Sequence, residues 1–288
     1  MSQTPAELLD SLLSLRAAAL PLSECRLLRP YLLDRTGIPT SGTALFFAVP
    51  YLIASDARDP GRNVSLYAVP RDYHGYMRQL SDELLPRFHA AFPGHRFTLF
   101  SDHSPFDEVD GAARAGLGVR GLNGLLITRE WGSFVFIAEL VTDMPYPEAV
   151  GAAAPDVPDA APSCQGCGAC LRACPGGCTS ADRSACLSAL TQKKGTLTNE
   201  EADSLLTHTL VWGCDTCQLV CPMNRAALAG LRDTPVTYFK EHRLPRLTLP
   251  ALDAMPDDEF QTRAYSWRGR AVIRRNLALK TSEKEDTV

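Results

Sequence analysis

The sequence predicts a mixed α/β or α+β domain, then a small cysteine-rich module, then a short helical C-terminus. Three observations carry that reading. Short apolar runs alternate with helical-period segments over the first 143 residues. Nine of the ten cysteines fall between Cys164 and Cys221. From Arg263 to Lys280 six basic residues recur without an acidic one.

The elements follow in order. Thr4, Pro5 and Glu7 fit the N-cap, N1 and N3 positions of a capping box, with Leu8, Leu9, Leu12 and Leu13 on one helical face. Thr43 to Val49 is an apolar run ending at Pro50 and reads as a buried strand. Asp72 to Ala91 reads as a helix stopped by Pro93-Gly94, and Arg96 to Ser101 as a strand that delivers Asp102 to its end. Asp107 to Ala115 reads as a helix closed by Gly116. Gly124 to Thr128 and Ser133 to Val141 read as strands of one hairpin. Prolines and alanines crowd residues 144–163, so that stretch is expected to be an irregular linker. The expected organisation is therefore a domain at 1–143, a linker at 144–163, a cysteine module at 164–230 and a basic helical segment at 231–288. In the last, Pro256 to Ala264 and Trp267 to Lys280 are the expected helices, followed by a polar tail.

Composition narrows the function. The 288 residues are 45% hydrophobic and 22% charged, with a net charge of −4, which does not suit a general nucleic-acid binder. No run of 18 apolar residues is present, so no membrane span is expected. Met1 to Leu22 lacks a basic n-region and a small-residue cleavage site, so it does not read as a signal peptide. Cysteines confined to one module, with about 160 residues before it holding only Cys25, fit metal ligation in a reducing cytoplasm better than a disulfide scaffold. Cys25 itself reads as a core residue.

The first cysteine run is Cys164-x2-Cys167-x2-Cys170-x3-Cys174-Pro175. This is the bacterial ferredoxin spacing, in which the fourth cysteine ligates the other cluster. The second run, Cys214-x2-Cys217-x3-Cys221-Pro222, lacks an upstream third cysteine, and Val211 stands there. Cys186 can supply that ligand. Reciprocal exchange then gives one [4Fe–4S] cluster on Cys164, Cys167, Cys170 and Cys221, and a second on Cys174, Cys186, Cys214 and Cys217. Cys178 is left over and is the alternative to Cys186. A pair of four-cysteine zinc sites is the competing reading, and the unbroken spacing before proline argues against it.

Upstream motifs narrow the choice among redox proteins. Tyr67-Ala-Val-Pro-Arg-Asp-Tyr-His74, Ser101-Asp-His-Ser-Pro105, Ala115-Gly-Leu-Gly-Val-Arg-Gly-Leu-Asn-Gly-Leu-Leu-Ile127 and Gly132-Ser-Phe-Val-Phe-Ile-Ala-Glu139 occur in order. Asp182 to Thr191 and Gly213-Cys-Asp-Thr-Cys-Gln-Leu-Val-Cys-Pro222 follow. Together, over about residues 40–280, they resemble the epoxyqueuosine reductase family. The resemblance implies a cobalamin-binding reductase domain before a ferredoxin-like double [4Fe–4S] module. It implies reduction of epoxyqueuosine in a tRNA anticodon to queuosine, with cobalamin and two [4Fe–4S] clusters. A reducing donor such as a flavodoxin or ferredoxin would supply electrons. Asp102 matches the family's proton donor, and Asp72 and His74 its second polar motif. Gly116, Gly118, Gly121 and Asn123 match part of the corrin site. The chain departs from the family at Leu122, where many relatives have Lys, and at Met223, where an aromatic is common.

The residues alone allow blander readings. Asp102 before Ser-Pro also suits a turn or N-cap. As a general acid it would need a partly desolvated pocket to raise its pKa. Asp72 and His74 also suit a helix cap and a surface histidine, and Arg71 a phosphate contact or a solvated arginine. Gly-x-Gly-x-x-Gly mimics a dinucleotide fingerprint, but a helical segment precedes it and no acidic residue fits the ribose position. Arg263, Arg268, Arg270, Arg274, Arg275 and Lys280, with Tyr265 and Trp267, could meet RNA or form a solvated face. Two other functions compete with the tRNA enzyme: a cobalamin-dependent reductase of a small molecule, like a reductive dehalogenase, and a non-catalytic iron–sulfur electron carrier.

Overall fold

A computed structural model describes residues 3–13, 15–151, 157–230 and 233–285, the last four residues of which are described by backbone alone. The chain forms two compact units, one of residues 1–50 and 76–166, the other of residues 51–75 and 167–288. The expected boundary near residue 143 is therefore not where the chain divides. Tyr51–Gly75, expected within the first domain, folds with the cysteine module and the C-terminal segment.

The first unit is built on a four-stranded sheet, whose order is residues 17–21, 43–50, 135–142 and 97–100. Its strands are Ala17–Pro21 (β1), Thr43–Pro50 (β2), Phe97–Phe100 (β3) and Val135–Thr142 (β6); Val119–Arg120 (β4) and Leu126–Ile127 (β5) pair separately. Every pairing is antiparallel, which resolves the mixed class to α+β here. β2 lies between two partners and is buried at all eight positions, as its unbroken apolar run requires. The hairpin expected around Arg129–Gly132 shrinks to a single Thr128–Gly132 bridge. β6 is instead drawn between β2 and β3, where its segment from Ala138 to Thr142 is buried.

Helix Glu108–Arg114 belongs to the same core as Phe46 of β2. Gly111 permits a close approach, because a Cβ there would lie 2.4 Å from Cζ of Phe46. Gly116, at φ 91, closes the helix as expected, and Leu117 donates back to the Ala112 carbonyl at 3.0 Å. The N-terminal helix Pro5–Leu13 has its capping box: Thr4 N–H reaches Glu7 at 2.8 Å and Glu7 N–H reaches Thr4 Oγ1 at 3.3 Å. The expected linker is partly regular, with a short helix at Tyr146–Val150. Residues 152–156 of it lie outside the described residues.

The second unit has a core of Val64, Val69, Val211, Trp212, Phe260, Tyr265, Ile273 and neighbours. Segment 63–65 runs beside 211–212 through a parallel Val64–Trp212 bridge, with Ser65 N–H on the Trp212 carbonyl at 2.8 Å and Val211 N–H on the Asn63 carbonyl at 2.6 Å. Beneath this seam Arg62 meets Asp215 at 2.6 Å, with side chains only 7% and 1% exposed. Asp215 also accepts the Leu66 N–H at 3.0 Å and the Ser65 hydroxyl. Asp215 stands between Cys214 and Cys217, so this ion pair fixes the second cysteine run. The C-terminal helices include Leu249–Ala254, Asp257–Gln261 and Arg270–Glu285, the last extending five residues past the expected Lys280.

Replacing Asp215 by Ala strands a buried guanidinium and removes the acceptor of two further groups. Removal of one partner from such a pair costs about 3–5 kcal/mol. Urea unfolding followed by tryptophan fluorescence should show that loss; an unchanged midpoint would mean that the pair contributes nothing.

Candidate active site and cluster ligands

Asp102 caps the end of β3 in the first unit. It is one of two described non-glycine residues with positive φ, at 63°. Aspartate tolerates the left-handed region better than most residues, yet a single such position still costs about 1–3 kcal/mol. The loop around it is held from several sides. Ser101 Oγ donates to the Ile137 carbonyl at 2.8 Å, and His103 N–H to the Ser101 carbonyl at 2.7 Å. Leu28 and Arg29 N–H groups both donate to the Pro105 carbonyl, at 2.8 and 3.0 Å, and Arg29 Nη1 donates to the Ser104 carbonyl at 3.0 Å. The Asp102 N–H donates to Glu108 Oε1 at 2.7 Å. Contrary to the expected partly desolvated pocket, Asp102 itself lies exposed.

Two further carboxyl groups lie behind the loop, and neither was singled out as a site residue from the sequence. Glu139 is on β6, opposite Phe46 of β2 and Phe100 of β3, and is fully buried. Ser104 Oγ donates to one of its oxygens, and the other has no hydrogen-bond partner. Burial, then the charge of Glu108, holds the Glu139 carboxyl well above the usual carboxylate range, against the Ser104 hydroxyl. Burial first, then the charges of Asp102 and Asp107, pushes Glu108 up to about 7, while the Asp102 N–H and Arg29 pull it down. A charged residue within the apolar run Ser133 to Val141 was the available signal for Glu139. Nothing local marks Glu108.

Asp72 and His74 lie in the second unit. Asp72 Oδ1 accepts the His74 N–H at 3.1 Å, as a cap does for helix Tyr73–Ala91, and also contacts His74 Nδ1 at 2.9 Å. Tyr238 donates to the Asp72 carbonyl at 2.9 Å. Arg71 lies over the Tyr238 ring at 4.8 Å and pairs with Glu241 at 3.6 Å. The structure thus brings Asp72 and His74 together and places Asp102 in the other unit.

The glycine loop has internal reasons for its composition. A Cβ at Gly118 would lie 2.4 Å from the Ile127 carbonyl oxygen, and one at Gly121 2.3 Å from Asn123 Oδ1. Asn123 accepts the Leu125 N–H at 3.3 Å, and Gly121 exchanges backbone bonds with Gly124 and Leu125. Gly116 alone of the three has an open Cβ direction, its nearest neighbour being Arg16 at 3.9 Å. Leu117, between Gly116 and Gly118, helps wall a 440 Å³ cavity with Leu15, Ala48, Trp131, Thr128 and Arg129.

The two cysteine runs each wrap a single helical turn, Ala169–Arg172 and Thr216–Leu219, and these turns contact each other. Gly168, at φ 69, starts the first. None of the ten cysteines forms a disulfide. Cys164 ends the first unit, where its N–H donates to the Arg120 carbonyl at 3.0 Å; Cys167, Cys170, Cys174, Cys186, Cys214, Cys217 and Cys221 lie in the second. Among the described residues no three His, Cys, Asp or Glu side chains converge on a single-ion site. Cys178 lies beside Cys174 and Cys186: burial, then those two thiols, pushes its own up to about 11. Cys25 is in the first unit's core, as expected, and burial raises its thiol strongly.

The basic C-terminal stretch is mostly committed inside the second unit. Arg263 is 5% exposed and bonds Glu259 at 2.7 Å and the His242 carbonyl at 2.6 Å. Arg270 reaches Asp257 and the Leu252 and Met255 carbonyls. Arg274 pairs with Asp253, Arg275 bonds the Lys193 and Gly195 carbonyls, and Lys280 bonds those of Leu205 and His208. Tyr265 is buried. Trp267 remains 57% exposed, with Arg268 stacked 3.7 Å from its ring centre.

Two measurements follow from this geometry. Exchanging Cys186 for Ala should remove about four of eight irons, whereas Cys178→Ala should retain all of them; the reverse pattern would make Cys178 the ligand. A buried acid with a raised pKa weakens the fold as pH rises from its unfolded value, about 4.5, towards its folded one. Glu139→Gln escapes that loss. Its stability relative to wild type should therefore improve between pH 5 and pH 8, by about 1–3 kcal/mol in urea midpoints. Parallel pH slopes would show Glu139 to be ionised in the folded protein.

Residues 163–224 match the 4Fe-4S double cluster binding domain, so the chain carries an iron–sulfur cluster module. The epoxyqueuosine reductase of Burkholderia pseudomallei is 37% identical over 233 residues, covering 75% of this chain and 54% of its own length. That of Gloeobacter violaceus is 32% identical, covering 83% of this chain and 73% of its own length. This chain thus spans about half the length of several curated relatives. A Bacillus subtilis epoxyqueuosine reductase structure, described with its catalytic aspartate loop swung out of the active site, is 28% identical with a TM-score of 0.67 over 90% of this chain and 68% of that one. Another, with an epoxyqueuosine-modified tRNA stem loop, is 25% identical with a TM-score of 0.69 over 94% of this chain and 78% of that one. On the identity to relatives that it covers in large part, the chain belongs to the epoxyqueuosine reductase family.

Proposed function

We propose that the chain is an iron–sulfur, cobalamin-dependent oxidoreductase of the cytoplasm that reduces epoxyqueuosine in tRNA to queuosine. The observation that carries this reading is Asp102. It matches the family's proton donor and is held, exposed and left-handed, at the end of a central sheet. Strained backbone that persists at one exposed acid points to use of that acid. The relative solved with a modified tRNA stem loop supports the substrate.

Removing an epoxide oxygen to leave an alkene takes two electrons and two protons and releases water. The clusters would pass single electrons received from a donor such as a flavodoxin or ferredoxin. A reduced corrin cobalt, once bound, would supply the low-potential electron pair. The residues present fit such a group in chemistry. Leu27 and Leu28, 39% and 49% exposed, adjoin the Asp102 loop through the Leu27–Phe106 bridge and the Leu28 N–H bond to the Pro105 carbonyl. An apolar ledge of this kind suits a broad ring system, and Gly116 with the cavity beside Leu117 offers backbone and polar rim for its amide arms. Asp102 would donate one of these protons to the departing oxygen, and solvent would supply the second. Asp72, which holds His74 through Nδ1, and His74 itself match the family's second polar motif.

A small-molecule reductase of the same fold is the second reading. The internal partners of Arg263, Arg270, Arg274, Arg275 and Lys280 favour it, because they leave few C-terminal cations for phosphates. The deciding experiment supplies reconstituted protein, corrinoid and reductant with tRNA from cells lacking this reductase. Queuosine should appear, and Asp102→Asn should lower the rate at least about 100-fold while keeping both clusters. Absence of queuosine despite corrinoid binding would put the small-molecule enzyme ahead.

A further inference from the structure

We propose that Glu108 is a positioning residue whose carboxylate, by accepting the Asp102 N–H, holds the acid loop in its left-handed conformation. The inference rests on the reading of Asp102 as the proton donor. Four observations carry it. The Asp102–Glu108 bond, at 2.7 Å, is a direct tie between Asp102's own amide and a side chain outside its turn. It acts at the one non-glycine residue with positive φ among the described residues of the first unit. Glu108 opens a helix whose N-cap, Asp107, accepts the Asp110 N–H at 3.2 Å, so its backbone is fixed from the chain side. Gly111, three residues on, lets that same helix lie hard against Phe46, so the helix cannot drift from the sheet end.

The groups facing Glu108 decide its charge. Asp102 faces it from the loop, Asp107 from its own helix, Arg29 from the segment before helix Pro30–Asp34, and Glu139 from β6. Two neighbouring carboxyl groups in an apolar interior do not both ionise readily. Glu139 has an oxygen without any donor, whereas Glu108 has the Asp102 N–H and Arg29 in reach. The negative charge therefore settles on Glu108, and Glu139 stays protonated beneath it. An ionised acceptor makes the stronger hydrogen bond. The hold is thus full above neutral pH and weakens as pH falls through about 7, where Glu108 gains its proton.

The test uses the full chain with both clusters, corrinoid and reductant, and two variants. Glu108→Ala removes the acceptor; Glu108→Gln keeps a carbonyl oxygen but no charge. Hydrogen exchange of the peptide containing Asp102, corrected for intrinsic rate, reads the hold directly. In Glu108→Ala the amide should exchange about tenfold faster or more. Its kcat should fall about 10- to 100-fold with KM unchanged, since the acid is misplaced and binding is not. In Glu108→Gln protection should sit at the weaker level of the wild type at low pH and lose its dependence on pH near 7, and the acid limb of kcat should vanish with it. Wild-type exchange and kcat in Glu108→Ala, or an intact acid limb in Glu108→Gln, would overturn the proposal. Asp102→Asn separates the two ideas. If that variant turns over normally, the proton-donor reading falls, and exchange in Glu108→Ala still supports or rejects the hold.

Discussion

The buried pair of Arg62 and Asp215 is the constraint on which the second unit depends. Cluster ligands must be fixed to a fraction of an ångström, and a loop of the form Gly-Cys-x-x-Cys has no means of fixing itself. Asp215 is the residue inside that loop that reaches away from the cysteines and into the fold, where Arg62, Ser65 and the Leu66 amide converge on it. Desolvating two charges is costly, and the arrangement is tolerable because the carboxylate has several donors at once. This tie also explains why Tyr51–Gly75 folds with the cysteines. The strand pairing of Val64 with Trp212 and the ion pair beneath it bind the two segments through backbone and side chain together.

What could be read from the sequence was what is encoded locally. The Thr4–Glu7 capping box, the buried strand at Thr43 to Val49, the glycine stop at Gly116 and the ferredoxin cysteine spacing all depend on residues a few positions apart. What escaped notice depends on tertiary burial. A buried charge pair 153 residues apart leaves no pattern in either segment. Glu108 looked like an ordinary acidic residue in a first helical turn. The basic C-terminal run misled in the opposite sense, because helical spacing cannot tell a solvated arginine from one bonded to carbonyls of neighbouring helices. The glycine loop shows the same ambiguity. Gly118 and Gly121 are required by contacts with Ile127 and Asn123, which a spacing argument cannot separate from contact with a ligand.

The acid cluster of the first unit shows how one sheet can give three carboxyl groups different characters. Glu139 sits between two phenylalanines on adjacent strands and has only a serine hydroxyl for company. Glu108 is one layer further out and has a backbone donor and an arginine within influence. Asp102 stands in the open at the end of the strand. The gradient runs from neutral interior to solvated rim within a few residues of β3 and β6, and depth is its largest cause, adjusted by neighbouring charges and hydrogen bonds.

The left-handed backbone at Asp102 has a consequence for how such a protein can change over time. Glycine would adopt that conformation with less strain, and asparagine with equal ease. Substitution at this position is therefore cheap for the fold and ruinous for an acid. A lineage relieved of the need for proton transfer would drift there first, keeping its sheet, its cysteines and its overall resemblance to active relatives. On the proposed reading of Asp102 as the proton donor, the side chain at residue 102 is a more telling marker of working chemistry in related chains than overall identity.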